Sequence, residues 1–419
     1  MASKPPFACL RCASRRVQQA HRSSTKVRQT RRPFSQFARL SSDSGVSAAR
    51  AKAEFESAHK FCADLVRQTR KYDRPSYTLS TFIPRQTATF YLALRALNVS
   101  LSLLPDTTST ATIGLMRLQF WRDTITRTLA GTPPKEPIAI LLGHALSDLD
   151  SRSKGRARIS KGWFLRMINS REQYLTNTPY TNLSALESYS ENTYSTLLYL
   201  TLSALPLTSI TADHLASHIG KAAGITTVLR GIPLIAFPPP PNHHSDQPPG
   251  LSGAGGGGAA QSGAIMLPLD VMAETGLKEE DVFRHGADAP GLRDAVFAVA
   301  TRASDHLITA RQMLANLRGG QDVGHDFEHE GEEGHEYHNA YDEQNASSRI
   351  GAGSSGTSDS AMQLEEVERA FGVLMPAVST SLWLDRLQAV DFDIFKQELR
   401  AADWRLPWKA YWAHRRKTF

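Results

Sequence analysis

Residues 218–233 read HIGKAAGITTVLRGIP, and this stretch determines how the rest of the chain is interpreted. Apolar side chains recur with the helical period across residues 211–236, which predicts a single long helix. Within that helix Gly231 and Ile235 are four residues apart and therefore lie on the same face. Glycine and isoleucine have no side-chain oxygen, so neither can coordinate a metal ion there.

The spacing of these residues resembles the second motif of the squalene/phytoene synthase family, which reads Gly-x-Ala, six residues, then Leu-Arg-Asp-x-x-x-Asp. The matching residues are Gly220, Ala222, Leu229 and Arg230. The resemblance places the two family aspartates on Gly231 and Ile235. In the family those carboxylates hold magnesium, which carries the charge that builds on a diphosphate leaving group. The resemblance therefore implies a synthase fold that lacks one side of its metal site.

A block nearer the N-terminus resembles the first motif of the same family. In an alignment on Ala93 and Ala96, the first two aspartates of that motif fall on Ser102 and Leu103. Only Asp106 keeps a carboxylate, and a single carboxylate is a poor magnesium site. We interpret Asp106 instead as an N-cap or turn acid for the helix that follows Thr108.

Helical periodicity runs through most of residues 50–419, and strand alternation is nowhere sustained. We predict one all-α domain, which the resemblance implies is packed around a central cavity. The later predicted helices include 183–204, 363–388 and 392–414. Residues 237–262 and 319–361 have the Pro-, Gly- and Ser-rich or acidic composition of two disordered insertions. Because every long apolar run is interrupted, we predict no transmembrane helix.

Residues 1–42 contain ten of the 48 basic residues and none of the 41 acidic ones. An Arg-rich, Ser-rich and acid-poor leader is typical of a mitochondrial targeting presequence, and a basic arm without that role is the alternative. The remainder has 38 basic and 41 acidic residues. The charge of the main domain therefore gives no support for nucleic-acid binding.

Two segments contain potential metal ligands. Cys9 and Cys12 are not followed by a second pair of ligands. The histidines and acids within residues 319–361 belong to a Gly-rich segment that cannot preorganise a coordination shell. We predict no metal site and no cofactor.

Longer blocks resemble a mitochondrial subgroup of the family, whose members assist the assembly of respiratory complex I and have degenerate aspartate motifs. The blocks are 94–99, 113–117, 216–222, 390–395 and 415–419. The whole resemblance covers about residues 55–236, 264–318 and 364–419. It implies a location in the mitochondrial matrix and partners among complex I subunits or other assembly factors.

Three basic residues are candidates for the former substrate cavity. Arg95, Lys221 and Arg230 could bind a diphosphate or a phospholipid headgroup there. Alternatively, they pair with core carboxylates or extend to solvent. His218, on the same helix as Lys221, is interpreted as a hydrogen-bonded structural histidine.

The C-terminal segment combines aromatic and basic residues. After Pro407, the helical period places Trp408, Trp412 and Arg415 on one face, with Arg416 adjacent. Such a face suits contact with a partner or with a membrane interface, which would put the protein peripherally on the matrix face of the inner membrane. The alternative is that the tryptophans close the helical core.

We therefore predict a catalytically inactive synthase-fold protein that acts in complex I assembly. Two other functions stay open: a lipid- or isoprenoid-binding protein that uses the cavity without chemistry, and a residual prenyl-diphosphate transferase. The transferase would need replacement carboxylates with i, i+4 spacing, and the core helices contain none that we identify.

Overall fold

The computed structural model describes residues 44–68, 74–108, 110–155, 157, 159–205, 207, 209–238, 263–320 and 356–419. Every regular element in these residues is helical, which confirms the predicted all-α class. Ala51–Phe419 form one compact unit. The predicted presequence, the Cys9–Cys12 pair and nearly all of both predicted insertions lie outside the described residues.

The helices are numbered in chain order. They are α1 (Ser44–Gln68), α2 (Arg74–Leu79), α3 (Ala88–Ser102), α4 (Leu104–Thr107), α5 (Ala111–Leu129), α6 (Pro137–Ser153), α7 (Lys161–Gln173), α8 (Leu183–Ser190), α9 (Thr196–Ser203), α10 (Ile210–Ala236), α11 (Leu269–Glu274), α12 (Glu279–His285), α13 (Leu292–Arg318), α14 (Gly356–Leu374), α15 (Pro376–Ala389), α16 (Gln397–Arg400) and α17 (Leu406–Arg416). A π turn, Glu191–Ser195, joins α8 to α9. Helix α14 begins inside the segment 319–361 that we interpreted as an insertion.

Three predicted helices are divided in the structure. The segment 183–204 contains the π turn between α8 and α9. The segment 363–388 becomes α14 and α15, because Pro376 has no amide hydrogen with which to continue the preceding helix. The segment 392–414 becomes α16 and α17, and Pro407 again stands at the start of the second helix.

Helix α10 lies at the centre of the fold. It packs against α8, the π turn, α9, α13, α14 and α15. Because it has neighbours on many sides, its apolar residues are not confined to one stripe. Its first half, with Leu215 and Ile219, belongs to one hydrophobic cluster, and its second half, with Leu229 and Ile232, belongs to another. Helix α9 connects the first of these clusters to a third, which is built largely by α3, α5, α6 and α7.

Two glycines allow α10 to approach the π-turn region closely. A Cβ atom placed on Gly220 would lie 2.4 Å from Ser195 Cα, and one on Gly224 would lie 2.5 Å from Ser190 Cβ. Both distances are far below van der Waals contact. The small residues of the sequence motif therefore set the distance between α10 and the segment that carries the π turn.

Helix α10 is long and apolar enough to cross a membrane, judged by length and composition alone. The prediction of no transmembrane helix relied on uninterrupted apolar runs, and α10 has none. More than half of its apolar window, 56%, is buried by other parts of the protein. A core helix surrounded by other helices has the same composition.

Candidate functional site

A cavity of about 280 Å³ lies between α3, α7, the π turn, α10 and α15. Four degenerate motif positions line it: Ser102 and Leu103 at the end of α3, and Gly231 and Ile235 on α10. The structure thus brings the two motifs together around one space. Asp106 does not line the cavity but lies in the short helix α4.

Asp106 is also not the cap of the following helix. The N-cap of α5 is Thr110, whose hydroxyl accepts a hydrogen bond from the Ile113 amide. This corrects the N-cap interpretation, and the role of a turn acid fits the position of Asp106 in α4. The N-cap interpretation of Asp106 was wrong because the capping oxygen of α5 belongs to the Thr110 hydroxyl and not to a carboxylate.

Arginines provide the charge of the cavity. Arg95 and Arg230, two of the three basic candidates, line it, whereas Lys221 does not. Gly220 does line the cavity. Because successive residues on a helix project about 100° apart, the next residue, Lys221, projects in a different direction. A third arginine, Arg171 on α7, also lines the cavity.

No sequence motif singled out Arg171. It is brought to the cavity because α7 packs against the π turn and α9. Its NH2 group donates a 2.9 Å hydrogen bond to Asn98 Oδ1 on α3. Only the three-dimensional packing of α3 and α7 identifies it as a site residue.

Tyr194, in the π turn, lies among the three arginines and interacts electrostatically with each of them. Arg95 is buried and donates a 2.6 Å hydrogen bond to Ser76 Oγ. Burial lowers the pKa of Arg95 to about 10, with Tyr194 acting to raise it and Arg171 to lower it further. Burial lowers the pKa of Arg230 as well. All three guanidinium groups nevertheless carry charge at neutral pH.

The cavity does not suit the magnesium ions that the synthase motifs imply. Among the described residues that line it, none is Asp or Glu. In the part of the chain that the structure describes, no group of three or more His, Cys, Asp or Glu residues is arranged to hold a metal. Magnesium requires oxygen ligands, usually carboxylates together with substrate phosphates, and three cations would repel it.

A separate polar network lies beside the first half of α10. His306 Nε2 is 2.7 Å from Glu187 Oε1, and Arg302 Nε donates a 2.5 Å hydrogen bond to the same oxygen. On the other side of the imidazole, His306 Nδ1 is 3.1 Å from His218 Nδ1. Burial raises the pKa of Glu187, but the hydrogen bonds from His306 and Arg302 outweigh it and lower the pKa to about 2. These contacts fit the structural interpretation of His218.

The aromatic face of α17 is open to solvent. Trp408 is 66% exposed and Trp412 is 48% exposed, whereas Leu406 and Ala410 on the opposite side are buried. The guanidinium groups of Arg415 and Arg416 lie 5.9 and 5.3 Å from the Trp412 ring centroid. The tryptophans therefore do not close the core, contrary to the alternative drawn from the sequence.

Known proteins resemble this chain in both sequence and structure. The sequence profile described as Squalene/phytoene synthase matches residues 69–235 and 256–323. Among solved structures, a dehydrosqualene synthase matches with a TM-score of 0.58 at 12% identity, over 88% of this chain and 99% of that one. A squalene synthase from Alicyclobacillus acidocaldarius matches with a TM-score of 0.51 at 13% identity, over 81% and 97% of the two chains. At such low identity these matches concern the fold alone.

Closer relatives have a different description. A Rattus norvegicus protein named "NADH dehydrogenase (ubiquinone) complex I, assembly factor 6" is 32% identical over 86% of this chain and 83% of its own length. The Homo sapiens protein of that name is 30% identical over 86% and 82% of the two chains. A Drosophila melanogaster homolog is 31% identical over 61% and 67%. Together with the profile match, these similarities confirm the predicted resemblance, and the chain belongs to the squalene/phytoene synthase family.

Proposed function

We propose that this protein assists the assembly of mitochondrial respiratory complex I and does not transfer prenyl groups. The proposed assembly role rests on the similarity to proteins named complex I assembly factor 6, at 30–32% identity over 86% of the chain. The partners are then complex I subunits or other assembly factors, and the location is the mitochondrion.

Deleting the gene tests the assembly role. We expect native gels of mitochondria from the deletion strain to lose assembled complex I while complexes III and IV keep their normal amounts. Re-expression of the intact chain should restore complex I. Equal loss of all respiratory complexes would contradict a specific role in complex I assembly.

The absence of catalysis is proposed from the charge of the cavity. Ser102 and Gly231, where the family has aspartates, line the same space as three arginines. A prenyl diphosphate could still be held there, but no described lining carboxylate would hold the magnesium that assists departure of the diphosphate.

Purified full-length protein is therefore expected to leave farnesyl diphosphate and geranylgeranyl diphosphate unconverted in the presence of magnesium, as measured by product extraction and chromatography. An active synthase from the same family is the positive control. Ser102→Asp combined with Gly231→Asp and Ile235→Asp should not recover activity, because no Asp or Glu among the described lining residues would support the new ligands. Turnover above that of heat-inactivated protein would contradict the proposal.

We further propose that α17 attaches the protein to the matrix face of the inner membrane. Exposed indole rings favour the headgroup region, and the nearby guanidinium groups of Arg415 and Arg416 attract anionic lipid. Lys417 is excluded from this surface. It has a left-handed backbone with φ of 56°, and its ammonium group lies 5.5 Å from the Phe371 ring centroid in the adjoining core.

The combined substitution of Trp408→Ala, Trp412→Ala, Arg415→Gln and Arg416→Gln should move the protein from the membrane pellet to the supernatant of lysed mitochondria. The melting temperature should change little, because the replaced aromatic rings are substantially exposed. The control for the loss of two positive charges is the double variant Lys52→Gln and Arg67→Gln. It replaces two exposed basic residues of α1. A fourfold variant that stays in the pellet, or one that unfolds, would refute attachment through α17.

A further inference from the structure

A second concave space, a groove of about 490 Å³, lies between α13, α15 and α17. The buried side chains of Val378 and Leu382, on α15, line it and give it apolar walls. Trp408 and Trp412 also line it, and both keep much of their surface exposed. The aromatic face of α17 is therefore continuous with an apolar groove.

Three cations line the same groove: Arg311 on α13, and Lys409 and Arg416 on α17. Within the helices that the structure describes, no Asp or Glu side chain lines it. Lys409 Nζ lies 4.0 Å from Asp385 Oδ2, but both side chains are more than half exposed. Such an exposed pair contributes little, so Lys409 remains available to another anion.

The fold holds one of these cations in place. Arg311 Nε donates a 2.9 Å hydrogen bond to the main-chain oxygen of Phe419, and Arg311 Nη2 donates one of 2.8 Å to Ser381 Oγ. These contacts leave further N–H donors on the planar guanidinium. Arg416 is exposed beside the Trp412 ring. An anion in the groove would thus meet one fixed guanidinium and exposed cations that can turn towards it.

We infer that this groove binds a single anionic phospholipid, with its phosphate at Arg311, Lys409 and Arg416 and the upper part of its acyl chains against the apolar walls. Guanidinium groups recognise phosphate oxygens through charge-assisted hydrogen bonds. Indole rings favour the depth at which lipid headgroups lie. The inference rests on the proposed attachment of α17 and adds to it a bound lipid of defined charge.

The apolar walls favour a lipid over a free phosphate ion. Phosphate alone would leave Val378, Leu382 and both indole rings in contact with water. A glycerol backbone with the first carbons of its acyl chains would cover that surface while its phosphate reached the cations.

The groove also separates two adjacent arginines of α17. Arg415 and Arg416 lie at similar distances from the Trp412 ring, yet only Arg416 lines the groove. Consecutive helical residues project about 100° apart, which accounts for the difference. General attraction to an anionic surface would use both arginines, whereas a lipid bound in the groove would use Arg416 alone.

Titration of the purified full-length protein with dihexanoyl phosphatidylglycerol, kept monomeric below its critical micelle concentration and in EDTA, tests the inference. Because Trp408 and Trp412 line the groove, tryptophan fluorescence should shift to shorter wavelength as lipid covers the rings. The shift should saturate at one lipid per protein. Dihexanoyl phosphatidylcholine has the same chains and no net charge, and it should bind at least about tenfold more weakly.

Arg416→Gln should raise the dissociation constant for monomeric phosphatidylglycerol at least about tenfold, as expected for loss of a charge-assisted contact. Arg415→Gln is the matched variant, because it removes the same charge from the next residue, and it should leave that constant unchanged. Both variants should weaken binding to anionic vesicles, since each removes one cation from α17. Lys409→Gln provides a second exposed position within the groove, with the same expectation as Arg416→Gln.

Lack of saturable binding by monomeric phosphatidylglycerol would overturn the inference. Equal binding of the two lipids, or equal weakening by Arg415→Gln and Arg416→Gln, would also overturn it. Glycerol 3-phosphate that binds as tightly as the lipid would replace the phospholipid with a free phosphate compound.

Vesicle sedimentation distinguishes failure of the groove from failure of the proposed attachment. Vesicles of phosphatidylcholine with phosphatidylglycerol measure attachment of the whole α17 surface. If they sediment the protein while monomeric lipid does not bind, attachment stands and the groove inference fails. If monomeric lipid binds while vesicles do not sediment the protein, the groove stands and the attachment fails.

Discussion

Gly220→Ala is expected to lower the free energy of unfolding by about 3 kcal/mol or more, which is at or above the upper end for overpacking of a core. The added methyl group would lie 2.4 Å from Ser195 Cα and 2.5 Å from the Ser195 amide nitrogen. Both atoms belong to backbone, so no side-chain rotation relieves the clash. Helix α10 and the π turn would have to separate, and the contacts beside them would be lost.

Gly231→Ala is the matched control on the same helix. Its new methyl group would meet only Ile235 Cδ1, at an ordinary 3.8 Å, and alanine favours the helical backbone by up to about 1 kcal/mol relative to glycine. Urea unfolding should therefore show a large loss of stability for Gly220→Ala and none for Gly231→Ala. Similar midpoints for the two variants would mean that α10 does not need its close approach to the π turn.

Glu187→Ala is expected to cost about 2 kcal/mol, within the range for leaving a buried polar group without its partner. It leaves the buried His306 without the carboxylate that lies 2.7 Å from its Nε2 atom. Arg302, the other partner, is 46% exposed and can be hydrated instead, so its loss adds little. Glu187→Gln keeps an acceptor of the same shape and should cost less, about 1 kcal/mol.

The pH dependence separates charge from shape in this network. The pKa of Glu187 is lowered from 4.5 to about 2, so the charged form is the one that the fold favours. Its contribution is complete above about pH 4.5 and is lost as the pH falls towards 2. The difference in stability between the unmodified protein and Glu187→Gln should be constant near neutral pH and should shrink in acid. A difference that grows in acid would show that the charge of Glu187 opposes folding.

The sequence was sufficient to predict α10, because the helical period is a local property. The family resemblance added that Ser102 and Gly231 belong to one degenerate metal site, and both line the same cavity although 129 residues separate them in the chain. That step depended on the family resemblance, since no local pattern reports which helices become neighbours.

Residues that act through packing could not be predicted in this way. Arg171 follows no motif, and its role depends on how α7 meets α3. The exposure of Trp408 was also unpredictable from the helical period, which identifies a face but not whether another helix covers it. The π turn was missed because one additional residue in a helical turn leaves the surrounding apolar pattern nearly intact.

The sharing of α9 and α10 among the three hydrophobic clusters has a consequence for cooperativity. If a cluster were built from helices that contributed to no other cluster, it could unfold locally. Its amide hydrogens would then exchange at a rate of their own. Here, the opening of any one cluster exposes a helix on which another depends. We therefore expect the most slowly exchanging amides of α3, α10 and α13 to share one opening free energy, that of global unfolding.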